Sequence, residues 1–262
     1  MTYFGFLLRF LIPPILALLI VTWLDGRAQR CMPGFDGKKV GWIIGAHVAL
    51  ALVYTTPWDN YLVATGVWYY NPALVTGMVL GYVPIEEYTF FVLETILAGL
   101  WWGFLARRIP TPVEFKPSKT GRVLSALALA AVWTWAAFVF FNGHPSMTYL
   151  SITLFWALPA IFPQLLFGAD ILWHHRRLVA AAILPLGLYL SLMDIVALKA
   201  TTWSISPAQT TGVLFFGILP LEEVLFFFIT NVLVGFGMTL MLSDLGMNRL
   251  AAWKSKKFRG LP

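Results

Sequence analysis

The chain has 262 residues, of which 59% are apolar, 16% aromatic and 11% charged, with a formal net charge of +6. A water-soluble domain carries about 25% charged residues, so this composition excludes one, and the length leaves no room for a separate soluble catalytic unit. A single cysteine, Cys31, excludes a disulfide framework and a cysteine-based metal cluster.

Seven apolar runs, each long enough to cross about 30 Å of hydrocarbon, follow one another at residues 4–24, 41–62, 76–104, 122–141, 147–167, 178–198 and 212–241. Their glycines and prolines are tolerated by helices packed in lipid, so the expected fold class is an all-α membrane protein with seven transmembrane helices. The first run lacks a basic leader and a small-residue cleavage site, and reads as a span rather than a removed signal.

The connections alternate in charge. Sixteen of the 18 Lys and Arg follow the first, third, fifth and seventh runs: Arg27, Arg30, Lys38 and Lys39; Arg107, Arg108, Lys116, Lys119 and Arg122; Arg176 and Arg177; and Arg249, Lys254, Lys256, Lys257 and Arg259. This pattern predicts an outside N-terminus and a cytoplasmic C-terminus in a multi-pass protein of the cell membrane. Basic loops facing anionic lipid account for the net charge, so no nucleic-acid partner is expected.

The chain also repeats itself. Met1-Thr2-Tyr3 recurs as Met147-Thr148-Tyr149, and Leu8 and Pro13 as Leu154 and Pro159. Asp59, Trp68, Pro72, Ala73, Thr76 and Gly77 recur as Asp194, Trp203, Pro207, Ala208, Thr211 and Gly212. Pro84-Ile85-Glu86-Glu87 with Phe90-Phe91 recurs as Pro220-Leu221-Glu222-Glu223 with Phe226-Phe227. Each repeat holds three spans and an odd span links them, so the copies are expected to lie parallel. The expected divisions are 1–105, a first three-span repeat; 106–146, a linker with the connecting span; 147–242, a second repeat; and 243–262, a basic cytoplasmic tail.

Acids inside hydrocarbon are expensive and are functional by default. Counting from residues 76 and 212 places Glu86, Glu87, Glu222 and Glu223 roughly 15 Å deep, near the bilayer centre. The proline two residues before each pair is expected to kink its helix and turn the acids toward a cavity. Adjacent carboxyls in an apolar site do not both ionise readily, so one of each pair is expected to hold a proton. Such a group is a strong donor toward a substrate without better bases. Asp59, Asp194 and Glu94 are further candidates; the position matching Glu94 is Thr230, so the halves are not equivalent. Tyr88, Phe90, Phe91, Phe226, Phe227 and Phe228 flank the pairs and could face a cation.

No glycine-rich nucleotide fingerprint, aspartate-rich diphosphate motif, metal-ligand cluster or seventh-span lysine is present, so neither cofactor nor metal is expected. A proton, an apolar chamber and many aromatic rings remain.

The twin Pro-[Ile/Leu]-Glu-Glu segments, with Met1-Thr2-Tyr3 and Pro13-Pro14, resemble the membrane-embedded carotenoid cyclases, as in the bacterial two-subunit lycopene cyclases and the cyclase half of the fungal bifunctional cyclase and phytoene synthase. The resemblance spans nearly the whole chain, as two fused cyclase halves around one linking span. It implies a redox-neutral, FAD-independent isomerisation of lycopene to a β-carotene type of product, with the four paired glutamates moving protons. The implied partners are a linear carotenoid, membrane lipid and other enzymes of carotenoid biosynthesis. Cyclisation of C50 carotenoids and carotenoid hydration are alternatives on the same chamber. Parallel repeats and buried acids also suit a proton-coupled transporter, and paired glutamates an intramembrane protease.

Overall fold

The structure, a computed structural model, describes residues 1–259, with side chains through Ser255. Residues 260–262 of the expected basic tail lie outside the described residues. Helices α1 (Tyr3–Phe10), α2 (Ile12–Arg27), α3 (Val40–Ala64), α4 (Ile85–Ala106), α5 (Lys119–Phe141), α6 (Thr148–His174), α7 (Arg176–Lys199), α8 (Leu221–Leu242) and α9 (Asp244–Arg259) dominate it. Among the described residues, seven helical segments are long and apolar enough to cross a membrane, the first being α1 and α2 together. Each of the seven expected runs overlaps one of them. The last helix, α9, lies within the stretch read only as a tail.

Proline placement explains how the helices lock together. A proline at position i cannot donate to the carbonyl of residue i−4, leaving that oxygen to find another donor. Pro14 frees Phe10, whose carbonyl accepts from the Tyr189 hydroxyl of α7 at 2.6 Å. Pro159 frees Phe155, which accepts from Trp133 Nε1 of α5 at 3.1 Å. Pro185 frees Ala181, which accepts from Trp101 Nε1 of α4 at 3.1 Å. Each of these three prolines thus leaves an attachment point for a neighbouring helix.

The third and seventh runs begin later than hydropathy predicts. Residues 76–84 form a hairpin of strands β2 (Val79–Leu80) and β3 (Val83–Pro84), and the counterpart segment forms β5 (Leu214–Phe215) and β6 (Leu219–Pro220). Gly81 turns the first hairpin at φ +70°, and a side chain there would collide with Asn60. Met78, Val79, Leu80 and Tyr82 are exposed apolar residues, which is why composition merged this hairpin with the span. Pro84 and Pro220 sit at the N-caps with extended ψ of 147° and 145° and kink nothing. The expected kink is therefore corrected: the four paired glutamates occupy the first turns of α4 and α8, at the ends of these helices and not midway along them. They are buried by protein packed over those ends.

Helices α4 and α8 pack on each other at the centre. Helix α4 also meets α2, α3 and α7, while α8 meets α3, α6 and α7; α5 lies outside, along α6. Strand β1 (Trp68–Tyr70) pairs antiparallel with β4 (Trp203–Ile205), Trp68 opposite Ile205 and Tyr70 opposite Trp203. The ribbon thereby joins matching segments of the two halves in an exchange-symmetric register. At the far end of the bundle, Arg108 clamps Asp25 through both oxygens at 2.8 and 2.9 Å. Arg249 of α9 clamps Asp170 likewise, at 2.7 and 2.8 Å. Both acids are buried, and each has a second, more distant arginine, Arg30 at 3.6 Å from Asp25 and Arg122 at 3.8 Å from Asp170.

Candidate active site

Within each glutamate pair the two members face different surroundings. Glu86 Oε1 accepts the backbone N–H of Thr76 at 2.6 Å, and Glu222 Oε1 that of Thr211 at 2.7 Å. These first members fasten the hairpins to the helix ends. The second members meet phenols: Tyr3 donates to Glu87 Oε2 at 2.6 Å, and its counterpart Tyr149 to Glu223 Oε1 at 2.8 Å. Tyr70 adds a second bond to Glu87 Oε2 at 2.9 Å. Burial, then the neighbouring Glu87 carboxyl, hold the Tyr70 phenol well above its ordinary pKa, so it stays a donor at neutral pH.

Glu87 and Glu223 line one hollow of about 30 Å³, shared with Asp194, Tyr3, Tyr70, Trp68, Trp203 and the rings of Phe90, Phe226 and Phe227. The site is composite: α4, α7, α8, the N-terminal helix and both ribbon strands contribute. Asp194 Oδ1 accepts from Trp203 Nε1 at 2.8 Å, while its other oxygen has no partner among the described residues. Asp59 is fully buried and also unpartnered among them.

A second cavity, of about 320 Å³, continues the site on the other side of Phe226, which lines both. Its wall is apolar apart from Glu94, Thr230, His47, Gln164, Tyr54 and two threonines of α3 and α4. Phe226 stacks on Trp58 at 5.3 Å, and Trp58 on Trp156 at 4.4 Å, so aromatic faces run from the acids into this cavity. Such faces attract cations within about 6 Å.

Of the expected aromatic residues, Phe90, Phe91, Phe226 and Phe227 line one cavity or both. Tyr88 instead donates to Leu80 O at 2.9 Å, bracing the hairpin, and Phe228 packs on Gly187. Sequence reasoning did not assign Tyr3, Tyr149, Trp68, Trp203 and Tyr70 to the site. The first four were visible as repeated residues, but Tyr70 has no repeat signal because its counterpart is Ile205. Among the described residues no three His, Cys, Asp or Glu side chains converge as a metal site.

Comparison with known proteins shows the family of the chain. The sequence model of the Lycopene cyclase family matches residues 36–105 and 146–241, leaving out the segment that contains α5. A lycopene beta-cyclase of Halobacterium salinarum is 41% identical over 239 residues, covering 91% of this chain and 95% of that protein. A bifunctional lycopene cyclase/phytoene synthase of Podospora anserina is 32% identical over 205 residues, 75% of this chain and 34% of that protein. No solved structure matches. With both glutamate pairs inside the matched segments, the chain belongs to the lycopene cyclase family.

Proposed function

We propose that this protein is a lycopene β-cyclase, an isomerase that closes ionone rings at the ends of a linear carotene without a flavin. A carboxyl gives its proton to the terminal double bond, leaving a tertiary cation. The internal double bond attacks that carbon and forms the six-membered ring. The ring cation then loses a proton to a carboxylate, restoring a double bond. Nothing is oxidised or reduced, and the protons balance.

The observation that carries this reading is the hollow in which Glu87 and Glu223 meet under Phe90, Phe226 and Phe227. Two carboxyls supply the acid and the base, and the rings stabilise the cation between the two steps. The polyene arm occupies the 320 Å³ cavity beyond Phe226, with its reacting end directed into the hollow as that wall yields. Glu86 and Glu222 position the lids over the site through Thr76 and Thr211. One shared site follows, with Asp59, Asp194 and Glu94 as supporting acids.

The same reading places two parallel three-span repeats, 1–105 and 147–242, around the linking span of 106–146. The N-terminus lies outside and the basic tail in the cytoplasm of a multi-pass cell-membrane protein. Lipid and the enzymes that supply the carotene are its neighbours. Expression in a lycopene-accumulating host, with pigments identified by chromatography and mass, tests the proposal. β-Carotene supports it; a hydroxylated product would instead indicate hydration, and unchanged lycopene would remove the assignment.

A further inference from the structure

The two halves surround their glutamates almost identically. Tyr3 and Tyr149 donate to Glu87 and Glu223, Thr76 and Thr211 to Glu86 and Glu222, and each pair opens a helix behind the same kind of hairpin. Tyr70 breaks the match. It places a second O–H on Glu87 Oε2, while its counterpart, Ile205, has nothing to donate. Two phenols converging on one oxygen suit an anionic carboxylate, the form that accepts a proton. Glu223 accepts from a single phenol.

We infer that the hollow works in one direction, with Glu223 giving the proton to the carotene, Glu87 taking one from the ring cation, and Tyr70 acting as the positioning residue that sets this order. The inference rests on the cyclase reading and adds to it the division of labour. Each ring closed leaves Glu87 protonated and Glu223 ionised, so a proton crosses back before the next ring. Asp194 lines the same hollow with one oxygen unpartnered among the described residues, and is the group placed to carry it.

The order predicts different failures for the two sides. Without its donor the reaction does not start; without its base the ring cation forms but is quenched elsewhere. The full-length chain, as wild type and as Glu223→Gln, Glu87→Gln and Tyr70→Phe, is reconstituted in liposomes with lycopene, and both substrate loss and products are measured. Glu223→Gln should leave lycopene unconsumed, with a loss of at least about 100-fold. Glu87→Gln should still consume it slowly, giving rings with a displaced double bond or an added hydroxyl. Tyr70→Phe should lower kcat by about tenfold or more, leave KM within about twofold and shift product toward the same displaced rings. A merely structural role for Tyr70 would lower yield without changing product identity, and that result overturns the inference. So would diverted products from Glu223→Gln, or identical behaviour of the two glutamine variants. A wild-type chain that makes no β-carotene would instead overturn the cyclase reading itself.

Discussion

Thr230 donates its hydroxyl to Glu94 Oε1 at 2.6 Å, and the two residues stand 136 positions apart, the offset that also relates Glu86 to Glu222. A residue and its own counterpart therefore touch where α4 meets α8. Thr230→Val should leave a buried carboxyl without its donor and lower stability by about 1–3 kcal/mol. Thermal unfolding in detergent measures it, and an unchanged midpoint would show that this bond contributes nothing.

Glu86 holds its hairpin through one oxygen, so the two obvious substitutions should separate. Glu86→Gln keeps an acceptor for the Thr76 N–H and should retain ring formation within about tenfold of wild type. Glu86→Ala loses it, and the hairpin left without this anchor should lower activity by about 5- to 150-fold, the equivalent of about 1–3 kcal/mol. Pigment yield per membrane-inserted protein is the readout; equal loss in both variants would give Glu86 a direct part in the chemistry.

Phe226 forms the wall between the acid hollow and the apolar cavity. Replacing it with Leu keeps bulk but removes a cation-stabilising face worth about 0.5–2 kcal/mol. Ring closure should slow by about 2- to 30-fold, with KM little changed. Steady-state kinetics decide it, a selective rise in KM pointing to substrate fit instead.

His175 lies between α6 and α7, outside the spans, against Phe35. Burial, then the neighbouring His174, push its pKa down from 6.5 to about 4. The unfolded chain therefore binds this proton more readily than the folded one between those values. Stability should be full above pH 6.5 and fall as pH drops toward 4. His175→Phe should flatten that part of the profile of unfolding midpoint against pH; an unaltered slope would assign the effect to other groups.

The spans were legible because twenty-residue apolar runs have few other uses, and the paired acids because their repeat is too specific for lipid-facing sequence. The hairpins before α4 and α8 were not, since Val79, Leu80, Leu214 and Phe215 read as membrane residues whether they lie in a helix or a turn. The division of each glutamate pair was hidden for a different reason. Adjacent residues on a helix point about 100° apart, and only the folded positions of Thr76, Tyr3 and Tyr149 show which neighbour each carboxyl meets. Tyr70 and Ile205 carried least signal, because a departure from a repeat looks like ordinary drift until the partner is seen.

The β1–β4 ribbon has a further consequence. Neither strand finds its mate inside its own half, and the acid hollow takes walls from both. A polypeptide severed between Arg108 and Lys119, outside every span, should give two inert pieces that regain pigment conversion when made together in one membrane. In that sense the continuous chain behaves as a tethered pair, its covalent link ensuring equal supply of two parts that already recognise each other edge to edge.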